Sequence, residues 1–469
     1  MANHTELFFD DYRLFGRAGT ERAYGVPELA AVYTDPLFST DYPSPFVVKK
    51  DGRTFMLYMG KHRETKQTVL LAAVSDDGIH FVPWDTTEIE IENRLSVNEL
   101  MPLWRDKEPF GLIECPEAPA DERYKMILTD CEYGRRFEVF AYVLASPDLL
   151  HWHRCGGEIP GWSTEPIGGI FRNEQKGGYT ILHRTTWGNR DVGYTDTKDF
   201  VSFSPYELCM RQDSLDAPLD EIYGMPAVPY AGMFIGFPCI YTDNAPSRCV
   251  KFNPGNTYPQ LAYSWDGHHW QRSLRTSFLP DYHGQPSLSW LMSAQTEENG
   301  DILLYAAHSD EAHGVAFSSN KTGVIRVYRL RKDGFIRLTA GEKTATVTTR
   351  EWIFGGGELA VNLSAEYATA AILTTDEEDT RFVDVLGRGR PVPGFDHGDC
   401  EPFSGDSTAW VPHFSGGSLD RFRDKTVLIE IRYRNGGLYS LSGALTPITS
   451  AAAGRYRLHK RLAEKENEK

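Results

Sequence analysis

Four carboxylates stand in equivalent surroundings along this chain. Asp41-Tyr-Pro, Glu108-Pro-Phe, Glu165-Pro-Ile and Glu221-Ile-Tyr each come just before an apolar, β-prone run. Glu108-Pro-Phe-Gly-Leu-Ile aligns almost letter for letter with Glu165-Pro-Ile-Gly-Gly-Ile, and His283-Gly-Gln-Pro takes the same place in a fifth stretch. Repeats arranged around an axis bring such positions together, and crowding of like charges raises at least one carboxyl pKa. The result is a proton donor beside ionised carboxylates. Cleavage of a glycosidic bond uses that division: one acid protonates the leaving oxygen, and one carboxylate attacks or activates water. The plainer alternative is a set of solvated turn carboxylates, which often precede strands. Four at one repeat position favour the shared site.

Side chains near the same strand starts extend the set. Tyr42, Trp187, Tyr223 and Trp290 could stack on a sugar, and His283 could hydrogen-bond one. Arg184, after Tyr179-Thr-Ile-Leu-His183, could bind an anionic or hydroxyl-rich ligand or pair with a carboxylate. Glu108 is read as a fourth carboxylate, one that binds substrate. Glu114-Cys-Pro falls at the far end of its strand and is set aside. His308 and His313 have loose spacing and no partner ligands, so no metal is expected, and no glycine-rich phosphate loop points to a cofactor.

The elements that must position these residues announce themselves through a recurring motif. Ser264-Trp-Asp-Gly-His-His-Trp270 matches Ser75-Asp-Asp-Gly-Ile-His-Phe81 and Ser146-Pro-Asp-Leu-Leu-His-Trp152. Looser copies are Thr197-Lys-Asp-Phe-Val-Ser-Phe203 and Arg331-Lys-Asp-Gly-Phe-Ile336. Each follows an apolar run, and Asp-Gly or its equivalent supplies a tight turn. Five such units, roughly 50–70 residues apart, predict the blades of a five-bladed β-propeller. They span about 41–84, 108–153, 165–203, 221–270 and 283–338, after a lead-in over 1–40 expected to pack outside the blades or on a second domain. The insertion Tyr241–Tyr258 in the fourth unit should rim a binding site. The expected domains are a propeller over 1–338, a β-sandwich over 339–454 and a charged tail over 455–469 that forms a short helix or frays.

Composition agrees with an all-β chain of two domains: 469 residues, 12% aromatic, with 42 glycines and 27 prolines. A formal net charge of −16 argues against nucleic acid or an anionic membrane as partner. The first ten residues show neither a basic region nor an apolar core of a signal peptide, and no run of 18 apolar residues occurs. The seven cysteines are scattered without a Cys-x-x-Cys pair, as in reduced, cytoplasmic proteins. A homo-oligomer is left open.

Glu117-Ala-Pro-Ala-Asp-Glu-Arg-Tyr-Lys-Met126, Glu221-Ile-Tyr-Gly-Met-Pro-Ala-Val-Pro-Tyr230 and Leu261–Trp270 resemble bacterial glycosyl hydrolase-like proteins. So do Arg390-Pro-Val-Pro-Gly-Phe395 and Gly437-Leu-Tyr-Ser-Leu441, and the likeness runs from about Leu7 to Leu445. These proteins are similar to the five-bladed propeller glycosidases that act on fructofuranosides and arabinofuranosides and carry a C-terminal β-sandwich. The resemblance implies Asp41 as nucleophile or base, Glu165 as transition-state stabiliser and Glu221 as general acid. The chain departs from the fructosidase pattern: it lacks Trp-Met-Asn-Asp-Pro-Asn-Gly and Arg-Asp-Pro, and Glu165 replaces an aspartate. The expected activity is hydrolysis of small furanoside oligosaccharides. Its alternatives are a non-catalytic carbohydrate-binding protein and a propeller phosphorylase or transferase.

Overall fold

Alternating apolar runs closed by aspartate-anchored turns make the regular structure of the described residues almost entirely β, with one α-helix. The computed structural model describes residues 3–40, 45–103, 107–131, 139–159, 168–184, 190–243, 255–313, 315, 323–375 and 389–467. They divide into two units, Val26–Leu330 and Met1–Gly25 with Arg331–Lys469.

Within Val26–Leu330 the strands form antiparallel sheets in sequence order. The first is built on Arg53–His62 and Thr68–Ser75. The second runs Lys107–Glu114, Tyr124–Cys131, Val139–Ser146, His153–Glu158, and the third Gly169–Asn173, Gly178–Arg184, Val192–Thr197, Glu207–Met210. The next stretch divides into two three-stranded sheets, led by Asp220–Gly224 and Ala227–Tyr230. The last sheet runs Leu288–Thr296, Ile302–Ser309, Val324–Leu330 and then Glu28–Tyr33, so its outer strand comes from the beginning of the unit. Parts of five leading strands line a common cavity of about 340 Å³: Phe46 and Val47, Gly111–Glu114, Gly169–Arg172, Ala227–Pro229 and Met292–Ala294.

The repeated motif has one local cause. In Ser75–Phe81, the Asp77 carboxylate accepts the backbone N–H groups of Ile79 and His80 at 2.8 Å, and its second oxygen bonds His80 Nδ1 at 2.7 Å. Asp148 and Asp266 repeat these bonds with His151 and His269, and Asp199 repeats the backbone pair. Such side-chain acceptors replace the ladder bonds that the turn forgoes. The residue after each aspartate has positive φ: glycine at 78 and 267, but Leu149 and Phe200 in the other two. Those two side chains are buried, and their packing offsets the backbone strain.

Each of these turns is clasped from a neighbouring sheet. Tyr305 donates to the carbonyl of Gly78 at 2.9 Å, and Lys50 to that of Asp148 at 3.1 Å. Asn173 donates to the carbonyl of Asp266 at 2.9 Å, while the Lys125 ammonium lies 5.5 Å from the Phe200 ring centroid. The fifth copy differs. Arg331–Ile336 belongs to the other unit, and there Asp333 itself has positive φ and accepts from Ser440 Oγ at 2.6 Å.

The second unit centres on two long strands, Ala360–Thr374 and Lys425–Gly443, paired antiparallel along their length. The first of these runs unbroken for 15 residues. Gly436 explains why Asn-Gly-Gly does not end the second: an added Cβ would lie 1.9 Å from the Ser364 carbonyl oxygen, so only glycine lets the strands meet there. Of the chain's first residues, His4–Leu7 and Leu14–Ala18 pair with Lys425–Gly443 and Ala345–Thr349, and Glu21–Tyr24 with Ile336–Ala340. Trp352, Phe395, Val427, Ile431, Tyr433 and Leu438 lie in the apolar core. The charged end is helical over Ser450–Asn467.

Candidate functional site

Glu221 lies in Asp220–Gly224, the strand that opens the fourth stretch, opposite Tyr241 in Cys239–Asp243. The ladder shifts register between Ile222 and Gly224, and Tyr223 stands at that irregularity. Arg190, just ahead of the strand Val192–Thr197, reaches across from the third sheet. Its guanidinium pairs with the Glu221 carboxylate, its N–H lies 3.4 Å from Glu221 Oε1, and its carbonyl accepts the Ile222 N–H at 3.2 Å. These contacts fix the carboxylate from both main chain and side chain.

Beneath this pair is an aromatic floor. The Arg190 guanidinium carbon lies 4.4 Å from the Tyr241 ring centroid and 5.0 Å from that of Tyr223. Arg184 stands 5.1 Å from the same Tyr223 ring. Tyr223 stacks on Trp290 with centroids 6.0 Å apart, and its hydroxyl hydrogen-bonds His313 Nε2 at 3.0 Å. Tyr223 is 4% exposed and Trp290 1%, so both rings support the site from below and present no open stacking face.

Electrostatics single out a neighbour. Burial raises the Asp191 carboxyl above the usual aspartate range; the Glu221 charge adds to this, while Arg211 and Arg184 oppose it. Arg211 approaches Asp191 only to 3.8 Å. A carboxyl raised by burial and by a second carboxylate is one arrangement from which acid–base chemistry can be built. Asp220 is also raised, by burial first, although its hydrogen bond from Thr242 at 2.6 Å acts against this. At the entrance to the last sheet, Asp281 pairs with Arg326 and accepts from the Tyr328 hydroxyl at 2.9 Å.

The residues expected from sequence are distributed as follows. Glu221, Tyr223 and Trp290 come together, and Arg184 joins them through Tyr223. Glu108 is second in the strand Lys107–Glu114, its backbone N–H and carbonyl both bonded to the Thr129 hydroxyl, and His283 is exposed in the loop before Leu288–Thr296. Asp41, Tyr42, Glu165 and Trp187 lie outside the described residues. Arg190 and Asp191 are not among the residues expected from sequence: they stand just ahead of a third strand, Val192–Thr197, whereas Tyr241 opens the insertion expected to rim a binding site. Their signal was the charged pair Arg190-Asp191 directly before an apolar run. No group of metal-ligating side chains occurs among the described residues.

No protein-family model matches the chain, and no curated protein matches it. Solved structures similar to part of it include a glycoside hydrolase at 13% identity, covering 67% of this chain and 94% of that one with a TM-score of 0.45. A glycosyl hydrolase from Bacteroides ovatus is similar at 14% identity, over 66% and 94% of the two chains, with a TM-score of 0.43. The native arabinanase of Bacillus subtilis is similar at 9% identity, over 65% and 97%, with a TM-score of 0.38. At such identities and scores no activity passes from them to this chain.

Proposed function

We propose that Val26–Leu330 is a five-bladed β-propeller, that the second unit holds a β-sandwich, and that the protein hydrolyses small oligosaccharides of the furanoside type. The observation that carries this reading is the Glu221–Arg190 pair on its aromatic floor, with the raised carboxyl of Asp191 alongside. Leading strands from five successive stretches line one cavity, as the blades of such a propeller would. In this reading Glu221 is the proton-handling carboxylate, Arg190 orients it, and Asp191, its carboxyl raised by burial, is the neighbouring acidic group. Asp41 serves as nucleophile or base, Glu165 as stabiliser and Glu108 as a binding carboxylate. An oxocarbenium-like transition state gains from the surrounding negative charge.

A panel of 4-nitrophenyl furanosides and pyranosides, with short fructans and arabinans, tests the proposal. Release from a furanoside is expected. Release from pyranosides alone would refute the furanoside assignment, and calorimetric sugar binding without turnover would replace hydrolysis with binding.

A second reading is favoured by one observation: Arg184 and Arg190 both stand against Tyr223, two cations that a phosphate at the cup would use. Turnover that requires inorganic phosphate would establish a phosphorylase instead.

A further inference from the structure

The terminal helix Ser450–Asn467 covers a cavity of about 120 Å³ in the second unit. Arg457, Lys460, Arg461 and Glu464 follow the spacing i, i+3, i+4, i+7 and therefore share one face of the helix. All four line the cavity, with Thr374, Thr375, Asp424 and Lys425 at the ends of the two long strands. Four cations thus meet two carboxylates in a chain whose overall charge is −16.

The partners of these cations are unevenly supplied. Arg457 pairs with buried Glu351 and donates to Thr426 Oγ1 at 3.0 Å. Among the described residues Lys460 is held by one neutral acceptor, the Asp424 carbonyl, at 2.7 Å, and the Tyr456 hydroxyl shares that carbonyl at 3.1 Å. Lys425 and Arg461 have no ion-pair partner among the described residues, and Arg461 Nε is buried without a hydrogen bond among them. A buried guanidinium N–H without an acceptor is costly, and guanidinium and ammonium donors around one cavity match the oxygens of a phosphate group. The volume corresponds to about four waters, enough for a tetrahedral oxyanion.

We propose that this pocket binds a phosphate-type oxyanion, either the free ion or the phosphate group of an ester, with Arg461, Lys460 and Lys425 as its donors. Titration calorimetry on the full chain with inorganic phosphate, and separately with glucose 6-phosphate, tests it. One saturable site is expected, weakened at least tenfold by Arg461→Gln and unchanged by Arg190→Gln. Arg461→Gln should melt at the wild-type temperature in phosphate-free buffer, while phosphate raises the melting temperature of wild type alone. A tenfold preference for the ester would assign the pocket to phosphate esters, and equal or weaker ester binding to the free ion. Absence of saturable binding overturns the proposal. So does binding that survives Arg461→Gln or that is lost in Arg190→Gln, because the anion would then sit elsewhere.

Discussion

His183 shows how one buried residue couples this protein to pH. It is 2% exposed, bonded to Thr195 Oγ1 at 3.1 Å and packed edge-on to Tyr206, and burial lowers its pKa from 6.5 to about 4. The unfolded chain therefore binds a proton between pH 6.5 and 4 that the folded chain refuses. Stability is greatest above pH 6.5 and falls as the pH drops toward 4, by about 3 kcal/mol for this group. His183→Gln should flatten that part of the curve when urea midpoints are compared at pH 7 and pH 4.5. An unchanged slope would mean that other groups control it. His308, also lowered by burial, acts in the same direction as His183, and Asp310 partly counteracts its shift.

Among elements, the aspartate-anchored turn is the one most legible in sequence, because its bonds join residues only two or three positions apart. Asp148 is held down to about 2 against burial, by the His151 and Leu150 N–H groups and the His151 ring. Asp77 and Asp266 are lowered by the same kinds of bond. These depressed carboxylates stabilise the fold fully above about pH 4, the unfolded value, and the contribution is lost as pH falls through the folded values. Asp266→Ala, which strips two backbone acceptor bonds and the His269 contact, should cost about 2–4 kcal/mol in chemical denaturation. Trp270→Ala, which empties a site only 9% exposed, should cost about 3–5 kcal/mol. Either variant unfolding at the wild-type midpoint would show that the turns are ornaments. The motif could not disclose which strands its turns would join. Glu28–Tyr33 lies almost 300 residues from its partner Val324–Leu330, and only packing across the whole unit selects that pairing. The candidate site was half legible for a similar reason. Glu221 and Tyr223 follow from repeat alignment, whereas the charged pair Arg190-Asp191 marks a strand start without disclosing that Arg190 reaches across to the next sheet.

At the scale of the whole molecule, the first 25 residues belong with the last 139. Three strands from His4 to Tyr24 complete the sheet of the second unit, and Glu6, 3% exposed, pairs there with Arg13 and His4. Removing residues 1–25 should therefore destabilise the second unit specifically. Hydrogen exchange should show lost protection in Ile336–Ala340, Ala345–Thr349 and Lys425–Gly443, whereas unaltered protection there would contradict the pairing. The measurement that bears most directly on function is turnover of the best panel substrate by Glu221→Gln, with folding verified by circular dichroism and binding by calorimetry. The account predicts a loss of several decades in kcat, about 3–6 kcal/mol of transition-state stabilisation, with substrate still bound. A folded Glu221→Gln protein that turns over at the wild-type rate would contradict it.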